Sequence, residues 1–298
     1  MTDDNETTSF FLPKSETEHF LYAQIRDGSS RDKSKTQIES FWGKYRIHAP
    51  KRFLHKAQVD FYQRWWEMFL SVGLLNLNFE INTDKEDRGP DIKVILPNNK
   101  VVWIEAIAPN IGNNEEAVPP LRNGVSDLPE KEFLLRLHKA LYDEKLFKFR
   151  KFRNKGLINA DDHCIIALSA CALAQYGNLM DHPVPAPLKV LACAGNLVLS
   201  EKGNYVTCHE KIETNNERKV DMSLFNMTDF SRISAVLYSN IDILNSPNTP
   251  ESSFQLFLNP FANNPIGYAS FDTIETWFEE SRNESQVVWR VINRSSDN

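Results

Sequence analysis

The 298-residue chain lacks the short motifs that identify several enzyme classes at once. It has no G-x-S-x-G segment for a serine hydrolase, and no G-x-x-x-x-G-K-[ST] or G-x-G-x-x-G loop to bind phosphates. His163-Cys164 and Cys208-His209 lack a second ligand pair at short spacing, so zinc is not expected. No apolar run reaches the ~18–20 residues of a membrane helix, and residues 1–6 contain no basic segment followed by a hydrophobic one. We therefore expect a cytoplasmic protein with no membrane partner.

Cysteine, glycine and net positive charge are also scarce. The chain has four cysteines and 11 glycines, and its formal net charge is −6. The cysteines lie in or beside apolar runs with no pairing pattern, which predicts reduced, mostly buried thiols: Cys164, Cys171, Cys193 and Cys208. The negative net charge argues against nucleic-acid binding through overall charge.

The positive charge that is present is concentrated in two segments. Residues 44–64 contain six lysines or arginines against one acid, Asp60, and residues 131–155 contain nine against three acids. If the fold brings these segments together, they form a positive surface that could bind phosphate; the alternative is that they are solvated helix faces. The residues we predict to contact nucleic acid are Lys51, Arg52, Arg136, Lys139 and Lys148.

Two acids stand out between these basic segments. Asp91 precedes a β-branched run, and Glu105 lies in a second run, 101–108, after the turn residues 97–100. This pattern predicts a β-hairpin in which each strand contributes one carboxylate. An unpaired carboxylate in a buried strand costs several kcal/mol, and a shared cation would remove that cost. Oxygen ligands of this kind suit Mg²⁺ or Mn²⁺, which polarise phosphoryl oxygens and activate water. The alternatives are a turn aspartate and an edge-strand acid paired with a nearby cation.

At Pro90-Asp91 and Glu105-Ala106-Ile107 the chain resembles the PD-(D/E)XK nuclease superfamily. The resemblance covers about residues 50–172. It implies a restriction-endonuclease-like fold, Mg²⁺ held between Asp91 and Glu105, and hydrolysis of nucleic-acid phosphodiesters. It also implies a lysine two residues after the glutamate, a position that Ile107 occupies here.

Two lysines could replace the missing one. Lys93 lies two residues after Asp91, on the same face of its strand. Lys145 interrupts the apolar stripe of the helix that follows Glu105, and the resemblance favours it, because the lysine migrates onto this helix in some members. The alternative is that Lys145 extends its ammonium outward into water. Glu67 is the candidate for the further acid that some members have on the first helix; alternatively it is an exposed glutamate paired with Arg64.

The pattern of apolar residues predicts an α/β fold: a restriction-endonuclease-like core with a mixed central sheet flanked by helices, and a C-terminal elaboration. The boundaries that we predict are an N-terminal extension, partly loose, over 1–45, a nuclease-like core over 46–175, and an elaboration of the same domain over 176–298. Within them we expect a loop at 27–36, an amphipathic helix over 54–72 ended by Gly73, a long surface loop at 109–129, a helix over 130–154, strands at 164–173, 188–194, 233–239 and 254–258, and a helix over 271–280.

We therefore predict a metal-dependent nuclease whose cofactor is Mg²⁺ (or Mn²⁺). Its partner would be nucleic acid, with DNA favoured over RNA, and a homodimer is an option. A lysine would orient or deprotonate the attacking water. One alternative is a catalytically inactive nuclease-like fold that binds nucleic acid or protein, which Ile107 favours. Another is an unrelated α/β protein in which the acids are structural.

Overall fold

The computed structural model describes residues 7–83, 89–113, 116–120, 127–173, 175–198, 205–283 and 286–292. The helices are α1 (Phe20–Asp27), α2 (Asp32–Tyr45), α3 (Phe53–Val59), α4 (Phe61–Asn76), α5 (Glu130–Lys139), α6 (Phe147–Asn154), α7 (Gly177–Met180) and α8 (Ala186–Leu191), with a π-helical segment, Ala140–Leu146, joining α5 to α6. The strands are β1 (Glu80–Thr83), β2 (Ile92–Ile95), β3 (Val101–Ile107), β4 (His163–Ser169), β5 (Ala194–Val198), β6 (Tyr205–Cys208), β7 (Lys211–Glu213), β8 (Lys219–Asp221), β9 (Ala235–Ser239), β10 (Gln255–Leu258), β11 (Glu275–Arg282) and β12 (Val287–Ile292).

An eight-stranded mixed sheet organises the fold, in the order β1-β2-β3-β4-β9-β10-β11-β12. Strands β1, β2 and β3 are antiparallel neighbours, whereas β3, β4 and β9 run parallel. The parallel pairs need crossover connections, and the helix 130–154 supplies the one between β3 and β4. The predicted α/β class with a mixed central sheet flanked by helices is confirmed.

Each face of the sheet packs against its own helices. Ile104 and Ala106 of β3 belong to a core that includes residues of α1 to α4, while Ile107 belongs to a second core that includes residues of α5, α6 and α8. Successive strand residues point to opposite faces, so Glu105 faces the second core. Position 105 is therefore a buried one, although its side chain is an acid.

The N-terminal region is more ordered than the sequence predicts. Phe10 is fully buried, with its ring centroid 6.0 Å from that of Tyr22 and 6.1 Å from that of Trp42. Residues 32–36 of the predicted loop belong to helix α2, because Ile38, Trp42 and Tyr45 form a buried stripe at helical spacing that outweighs the polar start. The prediction of a loop over 27–36 is therefore wrong, because Asp27 ends α1, residues 29–31 form a 3-10 turn and α2 begins at Asp32. Residues 1–6 lie outside the described ranges.

The predicted helix over 54–72 is two helices, α3 and α4, separated at Asp60. Gly73 does not end the second helix, which continues to Asn76. A Cβ at position 73 would come within 2.5 Å of the Phe254 ring. The glycine is therefore explained by close packing against Phe254 and not by helix termination.

Two short apolar runs adopt a different secondary structure from the one that the sequence predicts. Residues 188–191 end a helix, α8, instead of starting a strand, and 275–280 belong to strand β11 instead of a helix. Strand β11 pairs in parallel with β10 and antiparallel with β12, so neighbouring strands decide its conformation. Periodicity cannot separate helix from strand in runs this short.

The expectation of four reduced cysteines is also wrong. Cys193 and Cys208 form a disulfide with a Cα–Cα distance of 5.1 Å, whereas Cys164 and Cys171 are buried free thiols. The disulfide links the start of β5 to the end of β6, two antiparallel strands in which Ala194 pairs with Cys208. In the described ranges, no helix combines the length and the apolar composition needed to cross a membrane.

Candidate functional site

The β2–β3 hairpin brings the two predicted acids to one end of the sheet. The predicted hairpin is confirmed: Ile92 pairs with Ile104 and Ile95 with Val101, and Asn99 in the turn adopts a φ of 60°. Asparagine tolerates this left-handed conformation better than most residues. Because β2 begins just after Asp91, that side chain lies beside the last residues of β3.

The Asp91 side chain accepts a hydrogen bond from the backbone of β3 beyond the point at which its pairing with β2 ends. Its Oδ2 accepts a hydrogen bond from the Ala106 amide at 2.8 Å. The side-chain amide of Gln63, on α4, continues the same edge: its Nε2 donates to the Ala106 carbonyl at 3.0 Å and its Oε1 accepts from the Ala108 amide at 2.9 Å. Asp91 and Gln63 together therefore satisfy the backbone edge of β3. Sequence reasoning missed Gln63, whose only signal is its spacing of four residues from Glu67.

Glu105 is the most deeply buried acid of the site, with an exposed fraction of 0%. Its Oε2 accepts from Lys145 Nζ at 2.8 Å and from Lys148 Nζ at 3.2 Å. Lys145 Nζ also lies 3.7 Å from Asp91 Oδ2. The other oxygen, Glu105 Oε1, is buried and has no hydrogen-bond partner in the described part of the chain. One lysine therefore joins both acids, while one carboxylate oxygen remains unsatisfied.

Lys145 reaches the acids from the π-helical segment between α5 and α6. The predicted apolar stripe is confirmed, because its members are buried along 130–154: Leu134, Leu137, Leu141, Phe149 and Phe152. Lys145 is 5% exposed on this face. A π-helical turn is rare and is frequent at functional sites. The prediction that the Lys145 ammonium points to Asp91 and Glu105 is confirmed, and its catalytic role stays a prediction.

Opposing electrostatic effects act on this pair. Burial lowers the pKa of Lys145, but the charges of Glu105 and Asp91 raise it by more, so the net pKa lies above its usual value. For Glu105, burial is the largest effect and raises the pKa; the Asp91 charge adds to it, and the two lysines oppose it. The ammonium form of Lys145 is therefore strongly favoured.

Glu67 lies near Asp91 on the other side of β3. It is 4% exposed and accepts from Arg64 Nη1 at 2.6 Å and from Gln63 Nε2 at 2.9 Å. The alternative pairing with Arg64 is confirmed, although the glutamate is not exposed as that alternative assumed. Burial and then the Asp91 charge raise the pKa of Glu67 to about 7. Glu67 and Asp91 also line a cavity of about 10 Å³, together with Tyr45, Pro50, Gly89, Pro90 and Ile92.

The structure separates Lys93 from the acids. Its Nζ lies 5.3 Å from the centre of the Trp103 ring, a cation–π contact between paired residues of β2 and β3. No ion pair joins Lys93 to an acid within the described ranges. Ile107, at the position of the motif lysine, is 5% exposed and packs into the second core. Lys145, rather than Lys93, is therefore the lysine that contacts both acids.

The predicted nucleic-acid contacts have different surroundings. Lys51, Arg52 and Lys139 are exposed, and the first two directly follow Pro50 at the small cavity. Arg136 donates from Nε to the Asn110 carbonyl at 2.9 Å and from Nη2 to Asn110 Oδ1 at 3.1 Å, which ties it to the loop after β3. Lys148 has a half-exposed side chain with its ammonium on Glu105.

The two basic segments lie on opposite sides of the acids. Lys148 contacts Glu105 from the helix 130–154. On the other side, Lys56 of α3 interacts electrostatically with Glu67 and Asp91; its pKa is lowered, mainly by burial and then by Arg64. The tertiary structure therefore places cations from both segments around one acidic centre.

Asp91 and Glu105 are chemically suited to a hard divalent cation. Their oxygens are the donors that Mg²⁺ prefers, and the buried Glu105 Oε1 lacks the hydrogen bond that a buried polar atom normally has. No group of three or more His, Cys, Asp or Glu side chains that could hold a metal occurs in the described part of the chain. Two carboxylates suffice in principle, because Mg²⁺ usually keeps several water ligands.

A larger cavity, of about 240 Å³, lies elsewhere, and none of the predicted site residues lines it; its walls include Glu130, Lys189, His209 and Met222. The acidic centre is thus a polar cluster at the sheet end and not a small-molecule pocket.

Comparison with protein-family models, with curated proteins and with solved structures finds no match to this chain.

Proposed function

We propose that this protein is a metal-dependent nuclease that hydrolyses nucleic-acid phosphodiester bonds at Asp91 and Glu105. The observation on which the proposal depends is the convergence of Lys145 on both acids, 2.8 Å from Glu105 Oε2 and 3.7 Å from Asp91 Oδ2. Two acids from separate elements can hold a metal ion, and a buried lysine beside them can stabilise the negative charge that develops in phosphoryl transfer.

The order of elements supports the same assignment. Helix α4, strand β1, the β2–β3 hairpin, the helix 130–154 and strand β4 follow one another as the resemblance to the PD-(D/E)XK superfamily implies. We assign Lys145 to the role of the motif lysine, whose usual position is filled by Ile107. This assignment supports a restriction-endonuclease-like core.

Each residue has a distinct role in the proposed mechanism. Asp91 and Glu105 would hold Mg²⁺ or Mn²⁺, which supplies polarisation of a phosphoryl oxygen and activation of water. Lys145 lies as an ammonium between both acids and would stabilise the negative charge that develops on the phosphoryl oxygens. Lys51, Arg52 and Lys139 are exposed cations that would contact flanking phosphates.

A second candidate function is a nuclease-like fold that binds nucleic acid or protein without cleaving. The full burial of Glu105 and the occupation of its Oε2 by two lysines favour it, because a stable ion cluster needs no metal. The hydrogen bond from Ala106 to Asp91 likewise gives that acid a structural use.

The test is cleavage of supercoiled plasmid, single-stranded DNA and RNA by the purified protein with Mg²⁺, Mn²⁺ or a chelator. We expect metal-dependent cleavage of at least one substrate, and loss of that cleavage in Asp91→Asn. Binding without cleavage under every metal condition would support the second candidate. Cleavage that persists at the original rate in Asp91→Asn would refute the assignment of the site.

A further inference from the structure

The acidic centre already contains its own counter-ions. The carboxylates of Asp91 and Glu105 are matched by the ammonium groups of Lys145 and Lys148, with nitrogen–oxygen distances of 2.8 to 3.7 Å. The third acid, Glu67, is matched by Arg64 at 2.6 Å. Asp91 and Glu105 are thus balanced in charge by two ammonium groups without any added ion.

Charge balance constrains how a divalent cation could be accommodated. Adding two positive charges to a neutral, partly buried group of side chains leaves those charges without matching anions near the buried Glu105, which is unfavourable. Either cationic side chains leave the carboxylates, or anions arrive with the cation. A bound nucleic-acid strand offers such anions, because each phosphodiester carries one negative charge.

The two lysines differ in their freedom to move. The Lys148 side chain is 49% exposed, so its ammonium can leave Glu105 for a ligand at the surface. The Lys145 side chain is 6% exposed and bridges the acids, so it can move only toward a partner that enters the centre. Both ammonium groups donate to the same oxygen of Glu105, Oε2.

We infer that divalent cation and phosphate backbone bind cooperatively, because Lys145 and Lys148 transfer their contacts from the carboxylates to phosphate when the carboxylates accept the cation. This inference rests on the proposed function, and it adds how the site is regulated: without nucleic acid, the internal ammonium groups keep cation affinity low. Coupling of this kind is reciprocal, so the cation must strengthen nucleic-acid binding by the same factor.

The test is calorimetric titration of Mn²⁺ into the protein alone and with a short single-stranded DNA that contains phosphorothioate linkages, which keep the backbone charge. The matched control ligand has the same sequence with neutral methylphosphonate linkages. We expect the charged strand to raise Mn²⁺ affinity on the order of tenfold or more, and the neutral strand to leave it unchanged.

Variants identify the groups responsible. Lys148→Met and Lys145→Met should each bind Mn²⁺ on the order of tenfold more tightly than the native protein in the absence of nucleic acid, with a smaller gain when the strand is added. Lys93→Met is the matched control, since its ammonium lies over Trp103 and should not affect Mn²⁺ affinity. If Lys145→Met does not fold, Lys148→Met is the decisive variant. The Lys148 side chain is half-exposed, so its replacement should not prevent folding.

The outcomes separate this inference from the proposed function. Unchanged or weaker Mn²⁺ binding by Lys148→Met and Lys145→Met, together with no effect of the charged strand, overturns the inference; metal-dependent cleavage by the native protein would still support the nuclease. Absence of Mn²⁺ binding with and without the strand overturns both.

Discussion

Buried acids on the two sides of strand β3 are compensated in different ways. On one side, Glu67 takes its partners from its own helix, Arg64 three residues and Gln63 four residues earlier. On the other side, Glu105 takes Lys145 and Lys148 from a helix 40 and 43 residues further along the chain. The first set forms whenever α4 forms, whereas the second forms only when the helix 130–154 packs on the sheet.

This difference has a functional consequence. Local partners at helical spacing hold their geometry with little dependence on the rest of the fold. Partners from a distant element can exchange one anionic contact for another without unfolding their own helix. Under the proposed function, the Glu105 side is therefore the one at which a phosphate would replace a protein carboxylate, and the Glu67 side is the fixed one.

The largest expected effect is on catalysis and separates the two lysines near the hairpin. Lys145→Ala should lower the cleavage rate by about 10²–10⁴-fold, the range for loss of a positioned catalytic group, because no other ammonium contacts both acids within the described ranges. The measurement is single-turnover cleavage at saturating Mn²⁺, with folding checked by circular dichroism. Lys93→Ala is the matched control; loss of activity in Lys93→Ala with retention in Lys145→Ala would show that Lys93, and not Lys145, is the catalytic lysine.

The next effect is on stability and tests whether Glu105 and Lys145 act as a buried pair. Either Lys145→Met or Glu105→Leu alone leaves the other charge buried and should lower the unfolding free energy by about 3–5 kcal/mol. The double variant should recover most of this loss, since two apolar side chains replace both charges. Urea denaturation measures all three. Losses that simply add in the double variant would mean that the pair is not coupled.

Lys148→Met provides the comparison for that cycle. Its half-exposed ion pair with Glu105 should contribute no more than about 1 kcal/mol. A loss as large as that of Lys145→Met would indicate that both ammonium groups are required to keep Glu105 buried.

The third effect is on pH dependence and concerns the Glu67 side. Because the pKa of Glu67 is raised to about 7 from an ordinary value of 4.5, the folded state favours its protonated form. Its contribution to stability is complete below about pH 4.5 and is lost as pH rises through 7, on the order of 3 kcal/mol. Glu67→Gln stays neutral, so its unfolding free energy should lack this decline. Urea denaturation from pH 4.5 to 8 checks it, and parallel curves for the two proteins would contradict it.

The smallest effect is on salt dependence and asks whether both sides of the acidic centre contact nucleic acid. The logarithm of affinity should fall with the logarithm of salt concentration by about 0.7–0.9 per phosphate neutralised. Arg52→Ala, from the start of α3, and Lys139→Ala, from the end of α5, should each reduce the slope by about one such unit. Fluorescence anisotropy measures the slopes. A change in only one variant would restrict the contact to one side, and a slope near zero in the native protein would favour a protein partner.

The sequence by itself determined the elements that lie around the site. The β2–β3 hairpin, the helix 130–154 and the position of Lys145 on its apolar face follow from local rules, namely turn residues and side-chain periodicity. The same rules failed for helix α2, for residues 188–191 and for β11, where short or polar-flanked apolar runs are compatible with either state.

Only the tertiary structure decided how the acids are compensated. No local pattern relates Glu105 to Lys148, Gln63 to the open edge of β3, or Cys193 to Cys208, because each contact depends on elements that pack together across the sheet or between strands. Burial of Glu67 likewise depends on what covers α4. Sequence periodicity specifies which face of an element is buried, whereas the charge that meets a buried acid depends on three-dimensional packing.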